Sequence, residues 1–287
     1  MNQPQSNFLP PSCFKTIWLL AARELRLAVV SRWFVLYTAA FVALSLSVSY
    51  VSATILGSAG LSGFGRTSAG LINIVLLIVP LMAMTAGAGS IAGDRERGSL
   101  GYLLCQPVRR WELLLSRYFA LTAALATSIT LGFGLSAIVL AFAGSTAKPQ
   151  AFLLLVALAV LLAAAMLSVG LLISVLSSRT SVATGIAIFL WLALVFGTDL
   201  ALMAGTLAGR ISIEWLFNLA LLSPLQVFKM WSLQSVDATL DVLGPVGLYG
   251  QTVHGPRLTP ILATALSAWI VLPLAAAIAL FQKRSVL

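Results

Sequence analysis

Six stretches of the sequence are apolar for longer than a membrane is thick, and this limits the fold more than any other feature. They run Trp33–Leu56, Gly70–Ile91, Tyr118–Ala143, Ala151–Leu176, Val182–Met203 and Leu258–Phe281. About 20 apolar residues in a helix cross the hydrocarbon core, and only structures that satisfy their own backbone can do so. The chain is 60% apolar and 9% charged, leaving little for a soluble domain. The expected fold is therefore an all-α integral membrane protein with six transmembrane helices. We read it as one membrane domain: a disordered tail over residues 1–12, an interfacial helix over 13–31 and the six spans over 33–281. No removable signal peptide is expected at the N-terminus.

The basic residues set an expected orientation. With the N-terminus inside, Lys15, Arg23, Arg26, Arg32, Arg95, Arg97, Arg109, Arg110, Arg117, Arg179, Lys283 and Arg284 face the cytoplasm. Arg66, Lys148, Arg210, Lys229 and Arg257 face outward, a ratio of 12 to 5. The positive-inside rule then places both termini in the cytoplasm. The net charge of +9 reports topology, and no basic run stands on a module that would bind nucleic acid. Cys13 and Cys105 both fall on the reducing side, where neither a disulfide nor a metal site is expected.

From Phe14 to Val30 the apolar residues Phe14, Ile17, Trp18, Ala21, Leu25 and Ala28 share one stripe, with Lys15, Arg23 and Arg26 nearly opposite. Such a helix lies in the membrane interface against lipid headgroups. Glu24 is its only acid and sits at the stripe's edge. A plain anchor gains nothing from it, so a partner contact and simple anchoring both stay open. Span two ends in small residues, and Gly89 and Gly93 form a GxxxG that permits close helix packing.

The most charged segment follows. Asp94, Arg95, Glu96 and Arg97 precede Gly98, and Arg109, Arg110, Glu112 and Arg117 precede span three. Gly98 breaks the helix, Ser99 is a good N-cap, and Leu100, Leu103 and Leu104 form the apolar side of a short helix ended by Pro107. Val108 onward starts the next helix, which runs into span three. This cytoplasmic hairpin between spans two and three presents a helix for another protein to push.

Span five carries Asp199 near its outer end. An intramembrane carboxylate is a functional candidate by default, although one so close to the interface can also simply reach water. Between Met203 and Arg257 the chain is too apolar for a loop and too broken to span. We expect re-entrant or interfacial external helices between spans five and six, interrupted at Pro224 and at Gly244-Pro245. Glu214, Asp237 and Asp241 make this region mildly acidic, and His254 lies in it. It reads either as a docking surface for an external protein or as a lid.

Several chemistries are missing. None of the four lysines sits in a Walker A pattern, so the chain is not its own ATPase. A single His and no intramembrane acid pair leave ion-coupled transport little to work with. Met82 and Met84 point about 200° apart on a helix, which suits packing better than Cu(I) binding. No metal site and no catalytic set is expected.

The hairpin resembles that of ABC-2 type transporter membrane subunits, through Asp94, Glu96, Gly98, Ser99, Leu100, Leu103, Leu104, Pro107 and Arg109 or Arg110. Ala22-Arg23-Glu24-Leu25 is similar to the entry helix of that family, and the likeness covers essentially the whole chain. It implies a non-catalytic permease that binds no cofactor itself, ATP and Mg being held by a separate cytoplasmic ABC ATPase. A narrower likeness is to NosY-type permeases, the membrane subunits of systems that help mature nitrous oxide reductase. It rests on Val195–Leu200, on Leu222–Met230 and on Asp241–Tyr249, with Ser223 standing where an asparagine is expected. It implies a homodimer in a bacterial inner membrane, a periplasmic repeat protein of the NosD type as partner, and service to the reductase's copper-site assembly. A generic exporter of a lipid, drug or peptide shares the same hairpin. A scaffold or enzyme working without any ATPase is the remaining class.

Overall fold

The computed structural model describes residues 13–56, 63–99, 109–142, 149–208, 212–235, 250, 252–253 and 255–283. Among these, all regular structure is helical. Helix α1 is Cys13–Val30, α2 Arg32–Leu56, α3 Gly63–Glu96, α4 Arg110–Phe142 and α5 Pro149–Leu176. Next come α6 (Thr180–Leu192), a π-helical turn (Ala193–Gly197) and α7 (Thr198–Ala208). Helices α8 (Ile213–Leu222), α9 (Pro224–Ser235) and α10 (Leu258–Lys283) complete the order. Among the described residues, six helical rods are long and apolar enough to cross a membrane: α2, α3, α4, α5, α6 through α7, and α10.

The charged flanks continue the helices that carry the spans, as expected from a break at Gly98 and a helix starting near Val108. Helix α4 begins at Arg110, two turns before Tyr118, and α3 runs on past Ile91 to Glu96. Straight-chain Arg and Glu are good helix formers, so a helix does not stop where hydrophobicity does. The junction between α8 and α9 falls at Ser223-Pro224, as the sequence suggests, with Pro224 at the first helical position.

Helix α5 is the hub. Leu155, Leu158, Ala159, Leu162, Ala163, Ala165, Met166, Leu167, Leu171 and Val175 are all fully buried on it. It packs chiefly against α3 and α10, with α4 and α9 as further neighbours. From Leu162 to Leu171 it is buried all round, which an all-apolar helix is suited to, while Leu153, Leu154 and Leu161 in its first half are exposed. At its tightest point two backbones touch. A Cβ added to Gly170 would lie 2.5 Å from the Met84 carbonyl oxygen of α3. One added to Gly87 would lie 2.9 Å from Leu167 O and Leu171 N. The close approach therefore uses Gly87 and Gly170. Around Gly89 there is open space, and Gly93 meets only the ends of Arg97 and Thr180 at 3.4 and 3.6 Å.

Small and hydroxylated residues join the other helices. Thr38 Oγ1 and Ser128 Oγ share a hydrogen bond of 2.9 Å, and Ser45 Oγ donates to Gly132 O at 3.3 Å, tying α2 to α4. The Phe41 ring lies where a Cβ on Gly132 would be. Ser168 Oγ donates to Trp269 O at 2.9 Å between α5 and α10. Without a hydrophobic drive between helices in lipid, such packing and bonding holds a bundle together.

The glycine contacts separate two substitutions. Gly170→Leu drives a side chain into backbone that cannot move aside, and should cost about 1–3 kcal/mol or more. Gly89→Ala should leave the melting temperature in detergent unchanged. Equal melting of both variants would contradict this packing.

Candidate functional site

The charged hairpin end is where most of the sequence's candidate residues meet. Asp94, near the end of α3, faces Arg117 of α4 in a close ion pair. Its other oxygen accepts from Arg97 at 3.1 Å and from Ser99 Oγ at 3.2 Å. Ser99 Oγ also lies 3.3 Å from Asp94 O, so this hydroxyl turns back on the helix before it. Gly98 has φ 71°, the left-handed conformation that stops a helix, and its N–H bonds Arg95 O.

The other charges reach the ends of neighbouring helices. Arg95 donates to Ser177 O and Val175 O, the terminal carbonyls of α5. Glu96 Oε2 accepts from the Thr180 N–H at 3.0 Å, at the first turn of α6. Arg110 donates to Phe281 O and Gln282 O, both at 3.4 Å, at the end of α10. Glu112 is buried and takes the Arg109 N–H at 3.1 Å, the returning half of a capping box. Helix ends carry carbonyls and N–H groups without helical partners, and charged side chains meet them with favourable dipole sign. The hairpin's arginines and acids are thus also caps for three other helices.

Arg117 is the residue that the sequence pattern undervalues. Its side chain is 5% exposed, and besides Asp94 it donates to Ser90 O at 2.7 Å. It also lies 3.6 Å from Glu24 of α1. The lone acid of α1 therefore has a partner within its own chain. An arginine set among Leu113, Leu114, Leu115 and Tyr118 was the available signal. Arg23, by contrast, is exposed. Leu100, Leu103, Leu104 and Pro107, the heart of the expected hairpin helix, lie outside the described residues.

A second polar cluster forms between α7 and α9. Gln226 Nε2 donates to Asp199 Oδ1, and Lys229 Nζ lies 4.0 Å from the same atom. Asp199 is 52% exposed, whereas Gln226 is buried. Most of α9 is buried too, including Leu225, Val227, Phe228, Met230 and Leu233, so this helix belongs to the core. Helix α8 keeps an exposed apolar face at Ile213, Trp215, Leu219 and Leu222. Ser223 Oγ is buried and makes no hydrogen bond, so the break before Pro224 has no cap from this side chain. Glu214 sits in the exposed first turn of α8, while Asp237, Asp241 and His254 lie outside the described residues. Both clusters join helices.

Comparison with known proteins gives one family. A model described as ABC-2 family transporter protein matches residues 18–286. A protein of Pseudomonas aeruginosa, named a probable ABC transporter permease protein NosY, is 30% identical over 278 residues. The match covers 94% of this chain and 99% of that one. A protein of the same name from Stutzerimonas stutzeri is 27% identical over 274 residues, covering 93% and 98%.

The hub arginine yields a stability test. Arg117→Met strands two carboxylates beside a buried site, and breaking a buried pair costs about 3–5 kcal/mol. The melting temperature should fall sharply, and adding Asp94→Asn should restore part of the loss. An Arg117→Met protein as stable as the parent would show that the pairing is not structural.

Proposed function

The chain belongs to the ABC-2 transporter family, and on that premise we propose that it is the permease of a NosY-type system serving nitrous oxide reductase. The observation that carries this reading is the near end-to-end match to two NosY permeases. As an ABC permease it works with an ATPase subunit. We place the hairpin end in the cytoplasm on the 12-to-5 distribution of basic residues. In this reading two copies of the chain, two ATPase subunits and a periplasmic repeat protein of the NosD type form the assembly, in the inner membrane of a bacterium. Its task is support of the reductase's copper-site assembly. ATP and Mg act on the ATPase.

The mechanism is mechanical. The ATPase dimer closes on nucleotide and displaces the segment around Ser99–Leu104. Arg97 is exposed and offers a cation to an acidic surface. Displacement passes to α5 through Arg95, to α6 through Glu96 and to α10 through Arg110. Along the fifth span the movement reaches Asp199, whose bonds to Gln226 and Lys229 hand it to α9. The far side of the assembly is thereby reshaped, either to open a path or to act on a docked protein.

Purification of the tagged chain in mild detergent, with its partners identified by mass spectrometry, tests the reading. We expect an ABC ATPase and a periplasmic repeat protein, and loss of the chain should leave the reductase short of copper. Recovery of the ATPase alone would favour a generic ABC-2 exporter. Recovery of neither would overturn the assembly.

A further inference from the structure

Helix α1 is joined to the rest of the chain differently from the spans. It packs along α4, yet among its described side chains only Ala21 is buried. Trp18, Leu27, Val29 and Val30 are exposed large apolar residues on it. Packing of this kind permits sliding and tilting. The specific fastening is Glu24, which reaches Arg117 at 3.6 Å.

That fastening draws on a shared cation. Arg117 is held by two carboxylates, Glu24 of α1 and Asp94 of α3. Asp94 in turn is shared with Arg97, whose side chain is 73% exposed. Asp94, Arg117 and Arg97 together carry one net positive charge, and this excess holds Glu24. The adjacent Arg95 and Glu96 offset each other and are engaged with α5 and α6. If an outside acid draws Arg97 away, the Asp94–Arg117 pair left behind is neutral. Glu24 then has no net charge to hold it. In a half-buried setting, one unit of charge a few ångströms away is enough to decide such a contact.

We propose that Glu24 is a positioning residue through which the docking state of the hairpin is reported to α1, by competition for the Arg117 guanidinium. With Arg97 on Asp94, α1 is clamped. With Arg97 drawn onto an acidic group of the ATPase, Asp94 claims Arg117, and α1 is free to tilt in the membrane surface. The ATPase half of this rests on the permease reading above; the clamp within the chain does not.

The test uses Ala21, buried on the side of α1 that faces the protein, as Ala21→Cys in a chain whose native Cys13 and Cys105 are replaced by serine. The full chain is reconstituted in vesicles, and its labelling by a polar maleimide is timed. Glu24→Gln should raise the labelling rate about fivefold, the effect of losing one partly exposed ion pair. Arg97→Gln, which leaves Glu24 and Arg117 in place, should raise it similarly. A merely structural contact between α1 and α4 would not respond to Arg97. Adding the ATPase should speed labelling of the parent and leave Glu24→Gln unchanged. Unaltered rates in both variants would overturn the clamp. Faster labelling in both variants, with no response of the parent to a bound ATPase, would overturn the competition alone. Failure of any ATPase to bind the parent would overturn the permease reading while leaving the two variant results to judge the clamp.

Discussion

A helix that ends beside hydrocarbon leaves carbonyls and N–H groups that water cannot reach easily, and this architecture depends on how they are met. Here charges from the two sides of one hairpin meet them. Arg95 closes the end of α5, Glu96 the start of α6, Arg110 the end of α10, and Glu112 the start of its own helix. Four helix ends are thereby referred to one short piece of chain. That piece cannot shift without shifting what it caps, so the same contacts that stabilise the bundle are suited to driving it.

The interior is built on the opposite principle. Where α3 and α5 meet, Gly87 and Gly170 remove side chains and bring backbone onto backbone. Contacts of that kind have little room to rearrange. Among the described residues the charged links lie toward the two ends of the bundle: the Asp94–Arg117 network at one, and Asp199 with Gln226 and Lys229 at the other. A rigid centre with charged ends suits a body that passes displacement from one end to the other.

Much of this was legible in the sequence. Six spans and the break at Ser223-Pro224 follow from hydrophobic run length and period. The helix ends beside the hairpin were legible as well, since the break at Gly98 and a new helix from about Val108 match α3 ending at Glu96 and α4 starting at Arg110. The GxxxG at Gly89 and Gly93 named the right region, but within the chain the close backbone contact is made by Gly87. Spacing shows that helices can approach closely, while the partner helix decides which glycine it meets, and Gly170 chose Gly87. Contacts distant in sequence were beyond reach: nothing near Asp199 announces Gln226, and nothing near Glu24 announces Arg117.

The π-helical turn at Ala193–Gly197 has a consequence for how the fifth span can change over time. A π turn holds about one residue more than an α turn, and such bulges are often found at functional sites. Each residue turns a helix by about 100°. Losing one residue from this turn would relax it into plain α-helix and swing Asp199 about a quarter of the way round, away from Gln226. Length in this span is therefore a setting of angle as much as of thickness. Two permeases with equally apolar fifth spans can aim their carboxylates in different directions through a single insertion or deletion.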